Sequence, residues 1–263
     1  MALEEKIEAL DWLGQPVRCR GCPHEPMHRD GRCRKGSACV RDRRAKRVER
    51  FFGEHPSLAD DYLDHPYFEV RAIATKHANL FRIPAQLADA EPEVRAMAVL
   101  RLPGERVKAL ARDADRRVRI AVASRLEGRA LLAMLADEDY YVRMIVARRL
   151  APAQLACAIN DPESEVRRWV ARRIVENRLI DMRFDPDPLV RLEVAERLAP
   201  ARLAVLAKDP DLRVRFTVAQ RIEPNALQLF LEDAEPLVRE MAMERLIELT
   251  RKQREDSDER SGS

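Results

Sequence analysis

Residues 137–174 read DEDYYVRMIVARRLAPAQLACAINDPESEVRRWVARRI. One pattern occurs in it twice: Asp137, Val142, Arg143, Val146, Ala147, Arg149, Leu150, and then Asp161, Val166, Arg167, Val170, Ala171, Arg173, Ile174, each displaced by 24 residues. Working outward in both directions, the Val-Arg pair recurs at Val70, Val94, Val118, Val142, Val166, Val190, Val214 and Val238, with no insertion or deletion. Self-similarity at a fixed short period is the mark of a stacked array, in which each unit buries its apolar face only against its neighbours.

Within a unit, Val and the residues four and eight positions later fall inside an arc of about 80° at about 100° per residue. That is one apolar stripe on a helix of roughly ten residues. The Asp five positions before Val, present in every unit but the first, suits a turn or N-cap ahead of that helix. A Pro often follows the stripe (Pro103, Pro152, Pro200, Pro224) and ends it. In the dozen residues that remain, apolar positions recur at spacing three: Leu131 and Met134, Leu179 and Met182, Leu203 and Leu206, Leu227 and Phe230. That spacing matches a 3₁₀ turn better than an α-helix. Alternating apolar runs are missing, so the fold expected is all-α.

Arg follows Val directly in all eight units, and Arg stands seven residues after Val in seven of them, from Arg101 to Arg245, with His77 in the first. The first of these arginines lies at about 100° on the wheel, within reach of the buried stripe. A guanidinium there needs a partner, because an unpaired buried charge is costly. The recurrent Asp of the same unit or the next is the expected partner, giving a structural ladder. Gripping phosphate or an acidic peptide is the alternative reading.

The charge is uneven. Residues 16–50 hold twelve Lys/Arg and four Asp/Glu, net +8, residues 1–15 carry −3, and the whole chain is +3. The repeats are therefore close to neutral. That argues against nucleic acid as their partner, since phosphate affinity needs uncompensated cations and base stacking needs aromatics, here 5% of residues. No apolar run approaches a membrane span. The stretch 1–15 lacks the basic and apolar regions of a signal peptide, so a cytoplasmic protein is expected.

Ahead of the repeats stand Cys19, Cys22, Cys33 and Cys39, spaced C-x2-C-x10-C-x5-C, with Gly14, Gly21, Gly31, Gly36 and Gly53 in or beside them. Four thiolates without a secretory signal point to a metal centre, and the spacing alone leaves both [4Fe-4S] and zinc open. Such a centre also serves as a cap, since the end of an array exposes apolar surface. The fifth cysteine, Cys157, lies in an apolar return segment and is expected to be a buried free thiol. His24-Glu25-Pro26-Met27-His28 matches H-E-x-x-H, but Pro23 and Pro26 argue against the helix that motif requires. Residues 41–52 are expected to form a basic helix that turns Val48, Phe51 and Phe52 toward the first repeat.

With its 24-residue unit Asp-(x)4-Val-Arg-x-x-Val-Ala-x-Arg-Leu behind a cysteine-rich segment, the chain resembles the leucine-rich repeat variant proteins over roughly residues 17–249. HEAT-type repeats share the Asp…Val-Arg flavour but use longer units, about 40 residues. The resemblance implies a right-handed superhelical solenoid of alternating α- and 3₁₀-helices, and an N-terminal [4Fe-4S] cluster held by Cys19, Cys22, Cys33 and Cys39. The expected organisation is a cluster domain at 1–55, an eight-repeat solenoid at 56–249, and a disordered polar tail at 250–263. No nucleophile–base pair or phosphate loop is visible, so no enzyme is expected. The functional expectation is an iron–sulfur protein whose solenoid presents a surface to a protein partner, with electron transfer or redox sensing. A zinc-capped scaffold, and nucleic-acid binding through the basic segment 16–50, are the alternatives.

Overall fold

The computed structural model describes residues 8–261, so the first seven residues of the expected cluster domain and the last two of the expected tail lie outside it. The chain divides into two compact units, Met1–Met134 and Leu135–Ser263. Among the described residues there is no strand, only two isolated bridges, Leu10 with Pro16 and Arg34 with Ala38.

In unit 1 a short helix Glu25–Arg29 and a longer one Ala45–Glu54 precede the repeats. The repeats then alternate: 3₁₀ Pro56–Tyr62, α Phe68–His77, 3₁₀ Ile83–Ala88, α Pro92–Arg101, a return through Gly104–Val107 and Lys108–Arg112, α Arg116–Ala123, and α Gly128–Ala133. Unit 2 continues with α Tyr140–Arg149, 3₁₀ Pro152–Ala158, α Ser164–Arg173, a return through Glu176–Leu179 and Ile180–Met182, α Pro188–Arg197, 3₁₀ Pro200–Leu206, α Leu212–Arg221, 3₁₀ Pro224–Phe230 and α Pro236–Ser261. The repeat helices start 24 residues apart, two positions before each Val. Some returns open as an α turn before they tighten, so spacing three in the sequence marks their buried side rather than one helix type.

The unit of Val142 shows the local logic in full; its side-chain N-cap is shared by the helices capped at Asp115, Asp187 and Asp211 and not by those that follow Tyr67, Glu91 and Glu163. In the unit of Val142, the buried stripe is Val142, Val146, Ala147 and Leu150. The helix begins where the Asp139 carboxylate accepts the Tyr141 N–H at 2.9 Å, an N-cap. It ends at Leu150, which is extended (φ −58°, ψ 149°), and Pro152 then opens the 3₁₀ return. Asp137, five residues before Val, sits ahead of the cap: its Oδ1 accepts the Asp139 N–H at 2.9 Å. The recurrent Asp is thus a turn former, and the N-cap lies two residues later. In the first unit His65 takes that place, its Nδ1 accepting the Tyr67 N–H at 3.1 Å while its ring meets Trp12 edge-on.

Two expectations are corrected here. Cys157 is exposed, not buried. The return Pro152–Ala158 buries Leu155 and Ala158, three apart, and residue 157 falls on the opposite side of a three-residue turn. The polar stretch 250–261, expected to be disordered, continues the helix Pro236–Ser261. It holds neither Pro nor Gly, and Lys252 with Glu248 pairs at the helical i, i+4 spacing. No helix among the described residues is long and apolar enough to cross a membrane.

Candidate iron–sulfur centre and arginine ladders

The cysteine segment is folded by tight turns. Gly21, with φ +76°, closes the turn in which the Cys22 N–H donates to the Cys19 carbonyl at 3.1 Å. Gly36, with φ +78°, closes the Arg34–Ala38 loop that brings Cys33 back to Cys39. Cys33 and Cys39 are buried; Cys19 and Cys22 are half-buried.

The charges of the neighbouring thiols act on Cys19 and on Cys33, which places the four in one neighbourhood. Burial raises the Cys19 thiol, and the charges of Cys39 and Cys22 raise it further. Cys33 is pushed up because it donates to Cys39, because it is buried, and because Cys39, Cys22 and Cys19 lie nearby. Cys39 is lowered to about 7: its sulfur accepts from Cys33 and from the backbone N–H groups of Arg41 and Asp42. Among the described residues no group of three or more His, Cys, Asp or Glu side chains is gathered at the spacing of a single bound ion. A cluster asks for a wider ring of sulfurs, because iron and sulfide lie between the thiolates. Four thiols in mutual electrostatic reach, with backbone N–H groups aimed at one sulfur, are a donor set that fits it.

An aromatic wall joins this segment to the first repeat. Val48, Phe51 and Phe52 on the helix Ala45–Glu54 are fully buried, as the amphipathic pattern of 41–52 predicts, although the helix starts at Ala45. Phe51 meets His24 and Phe52; Phe52 meets Tyr62 and His77. Tyr62 and His24 share a hydrogen bond of 2.5 Å, and the Tyr62 hydroxyl is pushed up to about 12, first by burial and then by Cys22. Tyr62 is the neighbour of the thiols that no motif marks, since it lies 38 residues from His24 and only packing unites them.

The H-E-x-x-H segment does form a turn of helix, Glu25–Arg29, contrary to expectation, because its proline occupies the first turn, where a missing N–H costs nothing. Its two rings are nevertheless committed elsewhere. His24 Nε2 bonds the Tyr62 hydroxyl, and His28 Nδ1 is 2.9 Å from the Cys33 carbonyl oxygen.

The repeats carry two ladders, not one. In the first, the Arg after Val grips the Asp of the next turn, 18 residues on. Arg71–Asp89, Arg95–Asp113, Arg143–Asp161, Arg167–Asp185, Arg191–Asp209 and Arg215–Asp233 are all bidentate through Nε and Nη2 at 2.7–3.0 Å. In the same residues Nη1 donates to two carbonyls ahead of its own helix, as Arg167 does to Asp161 and Pro162. In the second ladder, the Arg seven positions after Val caps the carbonyl end of the preceding repeat helix. Arg173 donates to the Ala147 carbonyl at 2.8 Å, Arg197 to Ala171 and Ile174, and Arg245 to Ala219 and Ile222. Helix C-termini present unsatisfied carbonyls and negative dipole ends, and both suit a guanidinium. In the first ladder each guanidinium thus holds one carboxylate and two carbonyls, and both ladders tie one turn to its neighbour.

Comparison with known proteins agrees with both halves. Residues 9–61 match the family described as LRV protein FeS4 cluster, and residues 92–115 and 116–139 match the leucine rich repeat variant. A solved structure described as a leucine-rich repeat variant with a novel repetitive protein structural motif is 38% identical to the chain. It superposes with a TM-score of 0.82 over 88% of this chain and 99% of that one. A Rhodobacter capsulatus protein described as an uncharacterized 27.7 kDa protein in the nifB 3′ region is 47% identical over 90 residues, 34% of this chain and 37% of that relative. The chain therefore spans little more than a third of that curated relative's length.

Proposed function

The chain belongs to the leucine-rich repeat variant family, carries its iron–sulfur cluster domain at the N-terminus, and from that premise we propose that it passes single electrons to or from a protein docked on its solenoid. In this reading Cys19, Cys22, Cys33 and Cys39 hold the [4Fe-4S] cluster. The observation that carries it is the shared electrostatics of the four thiols, two buried and two half-buried. When bound, such a cluster supplies one-electron chemistry at a potential set by the charges, hydrogen bonds and solvent around its sulfurs. Cys33 and Cys39 anchor from the protein side, where the Arg41 and Asp42 amides donate to Cys39. Cys19 and Cys22 face outward, between the exposed Arg18, Arg20 and Lys35. That basic rim favours the more reduced, more anionic state and attracts an acidic partner surface. Thiolate ligands suit the reducing cytoplasm.

Anaerobic purification followed by metal and sulfide analysis tests the reading. About four iron and four sulfide per chain, with a paramagnetic signal that appears on chemical reduction, are the expected result. Zinc without sulfide, or a cluster that no reductant changes, would overturn it. Binding to random duplex DNA with a steep salt dependence would transfer the basic segment to nucleic acid.

A further inference from the structure

This inference rests on the reading that the solenoid binds a protein, and it names where and through what chemistry. In unit 2, four consecutive repeat helices bury two positions beneath the turn that follows. Ala147 and Leu150, Ala171 and Ile174, Ala195 and Leu198, and Ala219 and Ile222 are at most 1% exposed. Among the described residues no turn covers the helix Pro236–Ser261 in that way. Met243, at the Ala position, is 48% exposed, and Leu246 is half-buried, while Val238 and Ala242 remain covered.

Arg239 is the unfilled rung of the first ladder. Its Nη1 donates to the carbonyls of Asp233 at 2.5 Å and Ala234 at 3.0 Å, as its counterparts do in the other repeats. Among the described residues no carboxylate meets its Nε and Nη2 edge, which elsewhere grips the next turn's Asp. Two carbonyls already orient the guanidinium, so the open fork is held in the geometry that six other arginines use.

We propose that this end face docks a segment of a partner protein that supplies what a ninth turn would. An Asp or Glu carboxylate sits on Nε and Nη2 of Arg239, and an aliphatic side chain covers Met243 and Leu246. The six filled rungs show the chemistry of the occupant, and the half-buried cation selects its sign. A second copy of the same face would oppose Arg239 with Arg239. The described residues after Leu246 run on as helix to Ser261.

The probe is a labelled peptide of this chain's residues 200–231, whose Asp209 seats on Arg191 in the fold. Its binding to the full-length, anaerobically prepared chain is read by fluorescence anisotropy. Saturable binding is expected, weakened roughly tenfold or more by Asp209→Asn in the peptide or Arg239→Gln in the chain. Met243→Glu should weaken it likewise, and Arg178→Gln should leave it unchanged. No saturable binding, or binding indifferent to the Asp209 and Arg239 changes, overturns the proposal. A dimer in sedimentation that Met243→Glu breaks and Arg239→Gln spares gives the face to a second copy and also overturns it. Peptide binding by a chain that captures no protein refutes the wider reading while supporting the site; a partner held equally by wild type and Arg239→Gln does the reverse.

Discussion

Arg167 holds Asp185 through two parallel hydrogen bonds, Nε to Oδ2 at 2.7 Å and Nη2 to Oδ1 at 2.9 Å, with the two side chains only 10% and 4% exposed. The same carboxylate oxygen, Oδ1, accepts the Asp187 N–H at 2.9 Å, and the same guanidinium reaches the Asp161 carbonyl at 2.8 Å. One ion pair therefore ties a helix, the turn ahead of it and the turn of the next repeat. The pair sets register as much as it stabilises, because it can form only when successive repeats stack without slippage.

Removing one member should be severe. Arg167→Gln leaves a buried carboxylate without its cation and should cost about 3 kcal/mol or more, read as a fall in the denaturation midpoint. The exposed pair Arg178–Asp181 is the control, and Arg178→Gln should cost under about 1 kcal/mol. Equal midpoints for the two variants would remove the ladder from the stability of the array.

The ladder also predicts a pH window. Burial opposes the charged form of Asp113, but the hydrogen bonds from Arg95 and the Asp115 amide prevail and hold it below the usual carboxylate range. A depressed folded value contributes stability that is complete above the unfolded value, about 3.9, and is lost as pH falls through the folded one. The stability gap between wild type and Asp113→Asn should be constant from neutral pH down to about 5, then close as the medium is acidified further. A gap that closes between pH 7 and 5 would assign the effect to histidine.

Much of this was legible in one period. Val142, Val146 and Leu150 are buried because a helix must place them on one side, and the sequence shows that spacing directly. Arg143 announced its need for an acid, and the candidate Asp was in view; that the pairing reaches 18 residues forward depends on how turns stack, which no helical wheel encodes. The second ladder was hidden for the same reason: Arg173 bonds backbone carbonyls, and a carbonyl leaves no mark in a sequence. Cys157 was misplaced because composition of a short return does not reveal its phase, and two residues past buried Leu155 is the outer side. Tyr62 joins the thiol neighbourhood only through tertiary packing against Phe52 and His24.

The cysteines divide cleanly in what they should do. Cys33→Ser should abolish the cluster, measured as iron and sulfide per chain in anaerobic preparations, whereas Cys157→Ser should retain it. In the wild-type holoprotein Cys157 should be the one thiol that reacts promptly with a water-soluble disulfide reagent, since it alone of the five is exposed. Parallel loss of metal in both variants would refute the assignment of ligands.

The end of the long helix is expected to be dispensable for the fold. Beyond Leu249 the described side chains are exposed, and the pairs Lys252–Glu248 and Arg251–Glu255 are solvent-screened surface pairs that add little. Truncation after Leu249 should lower helical circular dichroism while moving stability by under about 1 kcal/mol. A larger drop would show that residues 250–263 cover part of the array.

The contrast between Ala195 and Met243 gives a direct measure of what a following turn imposes. Both stand five positions after the repeat Val, but Ala195 is fully buried under the next repeat and Met243 is 48% exposed. A longer side chain at Ala195 must push two helices apart, and overpacking of that kind costs about 1–3 kcal/mol. Ala195→Met should therefore lower the denaturation midpoint markedly. Met243→Ala should move it little, because its side chain fills no interior space. The ordering follows from the position of each residue in the stack, since the two sites share one backbone conformation and exchange the same two side chains. If Met243→Ala proved as costly as Ala195→Met, the last helix would be covered in the free chain, and the open rung at Arg239 would be closed with it.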